Sequence, residues 1–106
     1  MEDFSKFVKY DAGKPRFELL DPFVMEEIVK VLTYGAKKYN DHNWNKCTSL
    51  TRYFGAACRH LFAWLKGEDY DQESGCLHLA HCICCCMFII GIWNINKEAD
   101  DRIKHG

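Results

Sequence analysis

The sequence predicts an all-α protein, a compact helical bundle with short connections. Three observations lead there. No alternating apolar–polar pattern of strand length runs anywhere along the chain. Two stretches, residues 24–32 and 50–64, repeat apolar side chains at helical spacing. A third, residues 79–93, is apolar almost throughout, the pattern of a helix buried on all sides, in part by a second subunit. A chain of 106 residues holds one core and hence one domain. An irregular arm over residues 1–20 and a charged tail over 95–106 flank it.

In the arm, Gly13 and Pro15 break any regular helix through Tyr10-Asp11-Ala12-Gly13-Lys14-Pro15-Arg16. Lys9, Lys14 and Arg16 concentrate positive charge there, which a solvated arm explains as readily as an anion site. Asp21-Pro22 starts the first helix, with Asp as N-cap and Pro at the first helical position. Val24, Ile28, Val31 and Leu32 form its stripe, widened by Met25 and Val29, and the helix is expected to reach about Tyr34 before Gly35 loosens the chain. Glu26 and Glu27 in its early turns suit the helix dipole, with or without a further role.

Residues 36–44 pack two lysines, amide side chains and two aromatics into nine positions. Lys neutralises phosphate, Asn reads a base edge, and Trp or Tyr stacks on a ring; a polar loop with an anchoring Trp has the same composition. The second helix is expected to begin with Ser49 or Thr51 as cap. Its stripe is Leu50, Tyr53, Phe54, Ala57, Leu61 and Trp64. On another face Arg52, Arg59 and Lys66 repeat every seven residues, separated by Ala56 and Ala63, leaving room for a ligand or simply for solvent. His60 lies beside the stripe, the usual place of a satisfied core histidine.

Gly67 ends this helix. An acidic loop of Glu68, Asp69, Asp71 and Glu73 follows, and Ser74 or Gly75 leads into the third helix, which extends to about Asn94 or onward through the charged tail. Its first turns carry only two polar groups, His78 and His81. An unpaired buried polar group costs roughly 1–3 kcal/mol, so both need partners. Carboxylates and imidazoles therefore converge near one helix start, the composition of a small-molecule or metal site.

Several function classes fall away. A net charge of −1 gives no footprint for nucleic acid or an anionic membrane. No basic segment precedes an apolar run at the N-terminus, so no signal peptide is expected. The apolar run of 79–93 is shorter than the roughly 20 residues of a membrane span and contains His81. The cysteine count is odd at seven, and Cys82, Cys84, Cys85 and Cys86 lie within one helix. They read as reduced, buried small hydrophobes in a reducing cytoplasm. No serine or cysteine sits in a nucleophile elbow. Mg²⁺ takes oxygen ligands and keeps phosphate oxygens around it, and Glu26, Glu27, Glu68, Asp69 and Asp71 offer carboxylates. Lys37, Lys38, Arg52 and Arg59 are placed to hold the charge of a leaving pyrophosphate.

The stretches KYDAGKPRFELL, EEIVKVLTYGAKKYNDHNW and RYFGAACRHLFAWLKGEDYDQESGCLHLAH resemble the phage dATP/dGTP diphosphohydrolases, the MazZ-type relatives of the MazG-like pyrophosphohydrolases. The resemblance covers about residues 9–92, with a specific order of YGAKKY, NW, RH, GED, SG and HLAH. It implies a MazG-like, oligomeric all-α fold that hydrolyses a purine dNTP to the monophosphate and pyrophosphate with Mg²⁺ or Mn²⁺. Carried onto this chain, it puts Lys9, Asp11, Lys14, Arg16, Lys37, Lys38, Tyr39, Asn43, Trp44, Arg59, His60 and His78 at the substrate, with Gly35 among the motif positions. It makes Glu27, Asp69 and His81 catalytic, and Glu27, Glu68, Asp69 and Asp71 metal ligands. One departure stands out. Glu26-Glu27-Ile28-Val29-Lys30 lacks the third glutamate of the MazG-like EExxE motif. That absence favours a rival expectation, a protein that sequesters a nucleotide or cyclic-nucleotide signal without cleaving it; a purely structural helical module is a third.

Overall fold

The computed structural model describes residues 6–104. Among them are three α-helices, α1 (Pro22–Lys38), α2 (Leu50–Leu65) and α3 (His78–Ile95), with short 3₁₀ turns at Phe17–Leu19, Asn43–Lys46 and Lys97–Ala99. The only strand-like pairing among these residues is a single antiparallel bridge between Tyr70 and Leu77, so the all-α expectation holds.

Asp21 caps α1 as its sequence predicts, its carboxylate accepting from the backbone N–H groups of Phe23 and Val24 ahead of Pro22. The helix then runs through Gly35 to Lys38, one turn beyond the expected end. A helical glycine costs only about 1 kcal/mol relative to alanine, and Lys37 and Lys38 in the last turn suit the negative end of the dipole. That extra turn carries Lys38 to the loop between α2 and α3.

Ser49 is the N-cap of α2, but its hydroxyl makes no bond to the helix's own N–H groups. The cap comes from the tail instead. Asp101 accepts from the Ser49 hydroxyl and from both the N–H and the hydroxyl of Thr51. At the far end, Gly67 adopts φ +95, and the N–H groups of Gly67 and Glu68 close back on the carbonyls of Trp64 and Ala63. The loop that follows folds on itself, Asp71 N–H bonding Cys76 O and His78 N–H bonding Asp69 O. This loop delays the start of α3 to His78, beyond the expected Ser74 or Gly75. At the other end α3 stops at Ile95; Asn96 caps the next turn and the tail folds back instead of extending the helix.

α3 is the central helix, packed along α2 and against α1. Its first half joins Ile28, Val31, Cys76, Ala80 and Cys84 in one core cluster; its second half joins Leu50, Ile92 and Ala99 in another, flanked by Trp44, Tyr53 and Phe88. The expectation of burial on all sides fails within one chain. Leu79, Ile83, Met87, Ile90 and Trp93 are 38–66% exposed, because two neighbouring helices cover only part of a cylinder. Phe54, Leu61 and Trp64 of the α2 stripe are likewise exposed. The arm is exposed at every position from Lys6 to Leu20, and the outer ends of the arm and tail, residues 1–5 and 105–106, lie outside the described residues.

Candidate functional site

His78 and His81 sit three apart in the opening turn of α3 and so share a face. The folded loop holds the last turns of α2 against that face. His60 of α2 therefore reaches both imidazoles: its Nδ1 lies 2.8 Å from Nδ1 of His78, and its ring stacks on His81 at 4.5 Å between centroids, 7° from parallel. In the His60–His78 contact one Nδ1 donates and the other accepts, so the two rings share a single proton. His81 Nε2 lies 2.7 Å from the Ser74 hydroxyl. Asp71 Oδ2 accepts from the Ser74 N–H and hydroxyl at 3.0 and 2.8 Å, and stands 3.7 Å from His81 Nε2.

Nε2 of His78 is buried with no hydrogen-bond partner among the described residues. The nearest carboxylate, Glu68, is 3.8 Å away, beyond direct hydrogen bonding. Such an orphan is what a site leaves for a ligand or water to satisfy. The rim is completed from α1. Lys38 pairs with Glu73 beside the loop and lies near the rings of Tyr34 and Tyr39, and the Tyr34 ring meets His81 edge-on at 6.5 Å.

Burial lowers the pKa of His60, helped by the neighbouring His81 and His78. Burial also lowers that of His81, against the opposing pull of Asp71. Both are thus held neutral at pH 7. Burial pushes the Asp71 carboxyl up, but the two bonds from Ser74 outweigh it and leave Asp71 below its ordinary value. Glu73 is lowered by its bond from Lys38, whose own pKa rises in return. The result is a pair of neutral imidazoles, His60 and His81, near the ionised Asp71 and Glu73, with a lysine at the edge. Its groups can accept and deliver protons and can hydrogen-bond an anionic ligand.

Of the residues expected at a site, the structure brings Lys38, His60, Glu68, Asp71, His78 and His81 together. Asp69 is exposed on the same loop, where its carbonyl anchors the start of α3. Tyr39 is exposed beside Lys38, and Lys37 lines an open groove of about 390 Å³ with Lys30, Thr33, Tyr34, Ser74 and Gly75. Arg59 is exposed on α2, its guanidinium lying back over Gly55. Glu27 is apart from the cluster, bonded at 2.9 Å to Lys30 and 14% exposed. Asn43 and Trp44 open the 3₁₀ turn before α2. Trp44 stacks on Phe88 at 5.1 Å and closes over Gly91, on the order of 15 Å along α3 from the imidazoles. Lys9, Asp11, Lys14 and Arg16 stand on the exposed arm, where Arg16 pairs with Glu18.

The four carboxylates expected to hold Mg²⁺ or Mn²⁺ do not form a cage. Among the described residues, no three His, Cys, Asp or Glu side chains converge as a metal site. Glu27 is taken by Lys30 and Asp71 by Ser74. Two members of the cluster escaped sequence reasoning as candidate site groups, Ser74 and Tyr34, while Glu73 was expected only as one of the loop carboxylates. Ser74 carried a signal in its SG motif, but only as a helix lead; Tyr34 carried one as the first residue of YGAKKY, but stood only as the expected end of α1.

Comparison with known proteins adds the family. The profile described as dATP/dGTP diphosphohydrolase, N-terminal, matches residues 5–102. A curated protein of Salmonella phage PMBT28, named dATP/dGTP diphosphohydrolase, is 37% identical over 95 residues, covering 90% of this chain and 32% of that protein. The chain thus spans about a third of the length of the curated relative it matches. No solved structure matches. With nearly its whole length matched by one profile, the chain belongs to the family of dATP/dGTP diphosphohydrolase N-terminal regions.

Proposed function

We propose that this chain binds a purine deoxynucleoside triphosphate, dGTP or dATP, at the imidazole cluster and cleaves it between the α- and β-phosphates, releasing pyrophosphate. The observation that carries the reading is the convergence of His60, His78 and His81 from two helices, with an unpartnered buried nitrogen and ionised carboxylates beside them. The relative's name supports the substrate class. His81 is the base toward an attacking water, Lys38 and Arg59 approach the phosphates, and the groove lined by Lys30 and Lys37 gives the chain of phosphates a further cationic wall.

Mg²⁺ usually binds through substrate phosphates plus one or two carboxylates rather than an all-protein cage. We read the divalent ion, Mg²⁺ or Mn²⁺, as part of the substrate, entering on the triphosphate. Exposed apolar side chains on α2 and α3, with a groove of about 580 Å³ lined by Phe54, Ile90, Trp93 and Ile103, support a homo-oligomer that covers them. At 18 residues and mean hydropathy 1.8, α3 has the length and composition of a span. We read it as a core and interface helix, because its first turns bond to α2 and to the loop. Seven free thiols and a net charge of −1 fit a cytoplasmic protein without a nucleic-acid partner.

A second reading is favoured by one observation, the dispersal of the expected metal ligands. Under it the site holds a nucleotide or cyclic-nucleotide signal without cleaving it. Chromatography of reactions with dNTPs, NTPs and cyclic oligonucleotides, with Mg²⁺, Mn²⁺ or chelator, separates the two. Release of a deoxynucleoside monophosphate and pyrophosphate is the expected result; a ligand depleted from solution and recovered intact would overturn hydrolysis in favour of sequestration.

A further inference from the structure

The contact between loop and α3 contains a chain of three groups, Asp71, Ser74 and His81. Its protons can be assigned from geometry. Asp71 Oδ2 lies 2.8 Å from the Ser74 hydroxyl and 3.0 Å from the Ser74 N–H, and the hydroxyl lies 2.7 Å from His81 Nε2. An ionised carboxylate only accepts, and a serine hydroxyl has one proton to give. If that proton went to His81, the hydroxyl oxygen and the Asp71 oxygen would face each other at 2.8 Å with lone pairs alone. If it goes to Asp71, His81 must donate from Nε2 and every contact is satisfied.

We propose that Ser74 is a positioning residue that, braced by Asp71, fixes neutral His81 as its Nε2–H tautomer and leaves Nδ1 unprotonated as the basic atom of the site. His78 Nε2 is the one sealed, partnerless side-chain nitrogen or oxygen among the described residues, so His81 Nδ1, which makes no hydrogen bond among them, keeps access to ligand or solvent. The stacked His60 ring holds the plane of His81 from the other side. The inference rests on the reading of His81 as the base. In that step Nδ1 takes a proton from water as the water oxygen bonds the α-phosphorus. The bond from that phosphorus to the bridging oxygen breaks, and its electron pair leaves on pyrophosphate. The imidazolium then keeps its Nε2–H bond to Ser74 Oγ, whose own hydroxyl proton stays on the serine and points to the Asp71 carboxylate.

The test is a long-range ¹⁵N–¹H spectrum of the full chain with ¹⁵N-labelled histidine rings, for wild type, Ser74→Ala, Ser74→Thr and Asp71→Asn. Wild type is expected to show His81 protonated at Nε2 and bare at Nδ1. Ser74→Ala should mix the tautomers and Ser74→Thr should restore the first. Turnover should follow, with kcat down about tenfold or more in Ser74→Ala, KM little changed and the threonine variant rescued, a fraction of the 10²–10⁴ that a positioned base contributes. A wild-type His81 bearing its proton at Nδ1 would overturn the proposal without any variant, as would a tautomer indifferent to Ser74→Ala. The spectrum decides this even in a protein that cleaves no nucleotide, so failure of the functional reading registers separately in the wild-type turnover assay.

Discussion

The two halves of α3 are built on opposite logic. From His78 to Cys84 the helix packs Ala80 and Cys84 into the core on one side and presents two imidazoles to α2 and the loop on the other, where one buried nitrogen has no partner among the described residues. From Phe88 to Ile92 it presents rings and aliphatic groups to Trp44, Tyr53 and Leu50, and nothing polar is left over. One helix thus carries a wholly apolar end and an end that adds a polar face to its core, joined by Cys84 and Cys85, whose thiols burial pushes up to about 12 and about 11. Thiols so raised stay protonated and behave as small apolar groups. The lesson is that the apolar end can be altered to change stability, while the polar end should answer to ligand and pH.

The largest effect expected of that division is at Ile92, which is fully buried. Ile92→Ala should lower stability by about 2–5 kcal/mol in urea unfolding; a loss below 1 kcal/mol would show that this end is not the core. Gly91→Ala comes next. A Cβ there would lie 2.7 Å from the Trp44 ring, which is pinned by Phe88, so overpacking of about 1–3 kcal/mol is expected with the histidine signals unmoved. Unchanged melting would mean that Trp44 moves freely.

The polar end should make stability depend on pH. His60 and His81 have folded pKa values below the unfolded 6.5. The unfolded chain then binds more protons, so stability is full above pH 6.5 and falls as pH drops through the folded values. Replacing His60 with Phe should flatten that fall; an unaltered slope would assign it elsewhere. The smallest effect is at the tail. Asp101, held at about 2 by Ser49 and Thr51, contributes its cap above the ordinary carboxylate value and loses it as pH falls toward 2. Asp101→Ala should lower the melting temperature slightly at pH 7 and not at pH 2.

Much of this was legible in the chain. Asp21-Pro22 announced α1, Gly67 ended α2, and the two histidines in an apolar helix demanded partners that the structure supplies in His60 and Ser74. What escaped was non-local. Asp101 caps a helix 50 residues away, and no local pattern marks such a contact. Gly35 loosens α1 less than its residue type suggests, since a penalty near 1 kcal/mol is small beside the packing of a 17-residue helix. Trp44 had the composition of a base-stacking residue, yet a ring that stacks on Phe88 and covers a glycine is packed against the core first.

The most direct test of the central claim is to map where the nucleotide binds, by following backbone amide and histidine ring signals as dGTP is added at low temperature with Ca²⁺ in place of Mg²⁺. The account predicts that His60, His78, His81 and Lys38 shift together while Trp44, Gly91 and Ile92 stay fixed. Saturable shifts centred on Trp44 and Gly91, with the imidazoles silent, would contradict it and move the site to the other end of α3.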